Sequence, residues 1–328
     1  LKKEVALSMG FSPFYLLGGV FLGWSIGAKD FANVYGTAVT SRMLRFMHAA
    51  ILASIGCIIG AAVDGWRGIE TLSRLAPQSF QTAIIATVAA AFAITVLNIL
   101  KLPISTAQAV VGSILGIGMM TDNVRFEGLG KILFCWFIAP VGAAVLVIPL
   151  YLVLGQIYNS LRLNIFQRDS FLRWGLIVVG AYASYAMGAN NVANVAAVFV
   201  GRNMLTVQVA SIIGGASIAL GILTFSKGVM MTIGRGLVKL DAFSALMVVL
   251  AEALTVHVFA IIGVPVSTSH AIIGAIIGIG VIRGIKSVKV RNLIGIMVGW
   301  FVAPLLSFFF AVLIYFLTHL HYVPGGSS

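Results

Sequence analysis

"LPISTAQAVVGSILGIG" at residues 102–118 and "VPVSTSHAIIGAIIGIG" at residues 264–280 are two versions of one segment, 162 residues apart. Each has a proline at its second position, Ser-Thr one residue further on, and then an apolar stretch with glycines at matched places. Proline breaks a preceding helix but fits the first turn of a new one, where its missing N–H costs nothing. Each segment therefore predicts a break followed by a helix start that carries hydroxyl groups.

Working outward, "GAKDFAN" at 27–33 pairs with "GANNVAN" at 188–194 at an offset of 161, and "WFIAP" at 136–140 pairs with "WFVAP" at 300–304 at an offset of 164. Three blocks in the same order, with offsets differing by only three, identify an internal duplication, with residues 1–160 as the first repeat and 161–328 as the second.

The surroundings of these blocks set the class. Of the 328 residues 60% are hydrophobic and only 9% charged, and the mean hydropathy is +1.08. A soluble domain carries roughly 25% charged residues, so this is a polytopic membrane protein. Ten apolar segments are expected, at roughly 11–34, 46–63, 80–100, 103–121, 131–156, 171–190, 206–225, 243–262, 265–282 and 292–318, with polar connectors near 64–79, 157–173 and 226–242. The fold class expected is all-α, with broken helices or re-entrant hairpins and about 10–12 membrane helices. Five segments per half is an odd number, so the two halves enter the membrane from opposite sides and the repeat is inverted.

The net charge is +12, but Lys and Arg fall between apolar runs and are not interleaved with exposed aromatics. They read as orientation signals and lipid contacts, not as a nucleic-acid surface. Seven lie on the side of the N-terminus, thirteen on the other side, and Lys29 within a span, which together account for all 21. The richer side is expected to be cytoplasmic, with both termini outside a cell-membrane protein. Cys57 and Cys135 sit in apolar runs and read as buried hydrophobes. His257 reads as structural, and His48, His319 and His321 as interfacial.

The motif residues give the chemistry. Ser105-Thr106 and Ser267-Thr268 are expected at helix N-termini, which present unpaired N–H groups and a positive dipole end, a ready site for a compact oxyanion. Inverted symmetry would bring the two ends together near the midplane, with Gln108, Ser269 and His270 as further donors. Asp30 and Asn33, and equally Asn191 and Asn194, share a helix face at spacing i, i+3. Their oxygens are hard ligands suited to Na⁺. Glu252 is a further buried candidate for a cation or a proton, without a counterpart in the first repeat. No nucleophile–base pair points to an enzyme.

These paired blocks resemble those of the inorganic phosphate transporter family, whose pattern is G-A-N-D-V-A-N. Both copies depart from it, through Lys29 and Phe31 in the first and Asn191 in the second. The resemblance covers nearly the whole chain and implies a sodium-coupled phosphate symporter working by alternating access. In that reading Asp30, Asn33, Ser105, Asn191, Asn194, Ser267 and Glu252 bind sodium, and Thr106, Gln108, Thr268, Ser269 and His270 bind phosphate. It implies no cofactor; the partners are phosphate, Na⁺ and membrane lipids, and a homodimer is admitted. The alternatives are a proton-coupled phosphate or sulfate permease of the same fold and, further off, an anion channel.

Overall fold

The computed structural model describes residues 16–99, 104–200, 204–233, 240–284 and 290–320. Among these it is built from helices alone. The first half contains α1 (Leu17–Thr40), α2 (Phe46–Asp64), α3 (Trp66–Ser73), α4 (Phe80–Ile99), α5 (Thr106–Met120) and α6 (Leu129–Ser160). The second repeats the series as α7 (Ile165–Ala196), α8 (Val207–Thr224), α9 (Ser226–Ile233), α10 (Ala242–Ile262), α11 (Thr268–Arg283) and α12 (Val290–Leu320), with a 3-10 turn at Ala197–Phe199.

Twelve helices among the described residues replace the ten segments expected. The additional pair, α3 and α9, lies in stretches read as polar connectors. Helix α3 is eight residues long and two-faced: Gly68, Ile69 and Leu72 are buried, while Trp66 is exposed. A hydropathy window of span length averages such a helix away. Helix α7 also outruns the expected 171–190. Its polar entry is held by a capping box in which the Asn164 side chain accepts from the Gln167 amide at 2.9 Å and the Gln167 side chain accepts from the Asn164 amide at 3.0 Å. Its polar exit, "GANNVAN", stays helical.

The break before α11 is plain. Helix α10 ends at Gly263, in the left-handed region at φ 82°, and Val264–Ser267 lead to α11. The corresponding Pro103 lies outside the described residues, as do His321 and the chain ends.

The halves interlock under a pseudo-two-fold. Helix α1 packs on α8, as α7 does on α2; α6 packs on α10 and α11, as α12 does on α4 and α5. Even single contacts obey the relation. The α-carbon of Gly27 faces the Ile218 carbonyl, and that of Gly188 faces the Cys57 carbonyl, so closely that a side-chain carbon would overlap either one. The equivalent helices α1 and α7 cross antiparallel: Gly19 lies against Val195 and Phe199, Asp30 against Asn191, and Tyr35 against Gly180 and Ile177. Two matching helices that run in opposite directions make the repeat inverted.

Long α6 and α12 form the rim. Phe134, Phe137, Val141 and Val145 on α6, and Phe301, Leu305 and Phe309 on α12, are exposed, as lipid-facing side chains are. Among the described residues six helices (α2, α4, α6, α8, α10 and α12) are long and apolar enough to cross a membrane, and α5 and α11 are shorter apolar helices. Both cysteines are free and buried.

Candidate functional site

Helices α5 and α11 begin where the sequence places them. Ser105 caps α5 and accepts from the Gln108 amide, and Ser267 caps α11 and accepts from the His270 amide, each at 3.3 Å. A cap of this kind satisfies one first-turn N–H and leaves others. The amides of Thr106 and Ala107, and of Thr268 and Ser269, keep no intrahelical acceptor.

Both starts open into one small pocket. It is lined by Ile104, Thr106 and Ala107 from the first repeat, by Val266, Ser267, Thr268 and Ser269 from the second, and by Lys29, Asp30 and Asn191 from the crossing of α1 and α7. The crossing is polar at its centre. Asn191 Nδ2 donates to Asp30 Oδ2 at 2.9 Å, joining equivalent positions of the two repeats. Thr268 Oγ1 donates to the same carboxylate oxygen at 3.2 Å. Asn191 Oδ1 in turn accepts from Asn190 Nδ2 at 3.1 Å and Asn194 Nδ2 at 3.4 Å.

Side chains in this region are short of partners. Nine buried side-chain polar atoms among the described residues have no hydrogen bond, and six of them belong to site candidates: Asp30 Oδ1, Asn33 Nδ2, Gln108 Oε1, Asn194 Oδ1, Glu252 Oε2 and His270 Nε2. Buried polar groups are normally paired. Of these six residues, Asp30 lines the pocket.

Not every candidate stands in the role read from its motif. The Thr268 hydroxyl donates a hydrogen bond to Asp30, so it supports the carboxylate first. Glu252 and His270 are buried on α10 and α11 and are not among the residues lining the pocket, and the His270 ring lies 4.8 Å from that of Trp300.

Two features were missed by sequence reasoning. Asn190, the residue before Asn191, clamps the break: its Nδ2 donates to the Val266 carbonyl and its Oδ1 accepts from the Val266 amide, both at 2.8 Å. Asp64, at the end of α2, gathers Arg67 at 2.8 Å, His257 Nε2 at 3.3 Å and the Tyr185 hydroxyl, while Tyr182 meets His257 Nδ1 at 2.8 Å. The equivalent place in the other repeat is aromatic, with Trp24 tilted over Phe225 and bonded to Thr224 at 2.8 Å. An Asp placed next to Gly-Trp-Arg was the available signal.

Residues 26–300 match the family described as PHO4, Phosphate transporter family. The chain belongs to the phosphate transporter family.

Among curated proteins this family member is 30% identical over 90% of its length to one named "Putative phosphate permease MJ0630" from Methanocaldococcus jannaschii, covering 91% of that protein. It is 27% identical over 89% of its length to "Sulfate permease CysP" of Bacillus subtilis, covering 84% of that protein. A solved structure, "The sodium-dependent phosphate transporter", superposes with a TM-score of 0.80 at 22% identity, covering 93% of this chain and 98% of the other. The fold is thus that of a multi-pass transporter of the phosphate transporter family, and the chain is not an enzyme.

Proposed function

We propose that this protein is a secondary active transporter that carries inorganic phosphate together with Na⁺ by alternating access. The observation that carries the reading is the meeting of the two helix starts, α5 and α11, with Asp30 and Asn191 in one pocket. Phosphate buried without compensation would cost many kcal/mol. Four first-turn amides, the Thr106 hydroxyl, and Ser269, Gln108 and His270 nearby supply donors for its oxygens. Asp30, Asn33, Asn191 and Asn194, with Ser105, Ser267 and Glu252, supply oxygens for Na⁺. Cation and anion then attract one another across a site where water screens them little. The inverted repeat gives the other half of the mechanism, since two equivalent arrangements of the halves open the same site to opposite sides. Lys and Arg placement supports external termini.

Uptake of labelled phosphate into proteoliposomes is expected to be driven by an inward Na⁺ gradient. Equal uptake without the gradient would remove the sodium claim. The likeness to a sulfate permease gives the competing substrate a specific basis, so unlabelled sulfate belongs in the same assay. Phosphate should compete and sulfate should do so weakly; the reverse order would make the protein a sulfate carrier.

The two threonines should separate under substitution. Thr106→Val removes a donor at nearly constant volume. A hydrogen bond to a charged group is worth about 1.5–3 kcal/mol, so phosphate affinity should fall roughly 10- to 150-fold. Thr268→Val removes a donor to Asp30 and should weaken the Na⁺ dependence as well. Isothermal titration with phosphate at fixed Na⁺ reads the first effect, and titration with Na⁺ the second. Normal phosphate affinity in both variants would take the hydroxyls out of the site.

A further inference from the structure

Lys29 and Asn190 occupy the same place in the two repeats, 161 residues apart. They also make the same bond. Lys29 Nζ donates to the Ile104 carbonyl at 2.8 Å, and Asn190 Nδ2 donates to the Val266 carbonyl at 2.8 Å. Ile104 and Val266 are themselves equivalent, each immediately before the serine that caps its helix. Both side chains face the acceptor on the following residue: Asn190 Nδ2 lies 3.1 Å from Asn191 Oδ1, and Lys29 Nζ lies 3.8 Å from Asp30 Oδ1. So the lysine supplies the donor half of the Asn190 clamp, without the acceptor that takes the Val266 amide, and adds a full positive charge beside the one carboxylate of the paired motifs.

That charge is placed where a cation would be needed. Asp30 is buried and Lys29 is only 16% exposed. Asp30 Oδ2 is taken by Asn191 and Thr268, whereas Oδ1 has no hydrogen bond and has the ammonium as its neighbour. An ammonium is a compact point charge, comparable in sign and reach to a bound monovalent cation. Resting on the sodium-coupled reading above, we propose that Lys29 is a tethered cation that stands in for one co-transported Na⁺ at Asp30.

A tethered charge differs from a bound ion in one respect. It offsets Asp30 and the incoming anion electrostatically, but it stays with the protein through the cycle. It therefore draws nothing from the Na⁺ gradient. Coupling is left to the Na⁺ held around Asn191 and Asn194, where Asp30 still contributes its charge through Oδ2, hydrogen-bonded to Asn191, and each phosphate is carried with fewer Na⁺ than a protein with an asparagine at position 29 would use.

The test is equilibrium binding of labelled Na⁺ to purified protein, paired with phosphate uptake. Lys29→Asn should bind one more Na⁺ per chain than the wild type, and its uptake should depend more steeply on Na⁺ concentration. It should fold, because Asn190 already makes the same carbonyl bond in the other repeat. Lys29→Gln, with a longer amide, should show the same gain and serves if Lys29→Asn is unstable. Lys29→Arg, which keeps the charge, should bind Na⁺ like the wild type, and Lys29→Asn/Asp30→Asn should lose the gain. Folded Lys29→Asn and Lys29→Gln with unchanged Na⁺ binding would overturn the proposal. A wild type that carries no phosphate while Lys29→Asn still gains a Na⁺ would overturn the proposed function and leave this inference standing.

Discussion

Asp30→Asn is expected to abolish Na⁺-stimulated phosphate uptake in a protein that still folds. Asp30 is the only full negative charge in the two paired motifs, and it lies at the crossing of α1 and α7. An asparagine can still accept from Asn191 and Thr268 through its own Oδ1. What it cannot do is balance Lys29, 3.8 Å away. The ammonium would become an uncompensated positive charge beside the proposed Na⁺ ligands. Breaking a buried ion pair costs on the order of 3 kcal/mol or more, and the low end applies because Lys29 keeps its bond to Ile104. The melting temperature should therefore drop, and the double variant Lys29→Asn/Asp30→Asn should recover stability without recovering uptake. A folded Asp30→Asn with unaltered Na⁺ dependence would remove Asp30 from the coupling machinery.

Gly188→Val should produce a large loss of stability. A side-chain carbon at position 188 would collide with the Cys57 carbonyl and α-carbon of α2. Backbone cannot step aside as a flexible side chain can, so α2 and α7 would have to separate. Overpacking typically costs about 1–3 kcal/mol, and a backbone collision belongs at or above the upper end. Low yield and a lowered melting temperature in detergent are expected, and Gly27→Val, against the Ile218 carbonyl, should do the same. Gly130, on α6, has nothing within 4 Å of the position a side chain would take. Gly130→Ala should be neutral or stabilise by up to about 1 kcal/mol. A Gly188→Val that melts with the wild type would contradict the close crossing of α2 and α7.

The parts of this fold that could be read from sequence are those that break a periodic pattern. A proline followed by Ser-Thr interrupts an apolar run, and Ser105 and Ser267 do cap helices there. Three repeated blocks imply a duplication whatever their environment, and an Asp inside a span draws attention by its cost. Helices α3 and α9 were not legible because eight residues are too few to register as a span and mix apolar with charged side chains. The role of Asn190 was hidden for a different reason. A run of two asparagines shows that polar groups are present, but which one clamps the Val266 backbone depends on a contact 76 positions away along the chain. Lys29 registers in the sequence as a charge within a span and a departure from the family pattern, and its role emerges only when its carbonyl bond is laid over that of Asn190.

The interlocking of α6 with α10 and α11, and of α12 with α4 and α5, bears on how the chain is made. When synthesis has passed Ser160, the ribosome has delivered α5 and α6 but not α10, α11 or α12, which pack on them. The nascent first half must wait in the bilayer with its polar crossing and its glycine faces open, and Asp30 has no Asn191 to meet until α7 arrives. Separate halves, co-expressed as 1–160 and 161–328, should accumulate only together, each acting as the template on which the other completes itself.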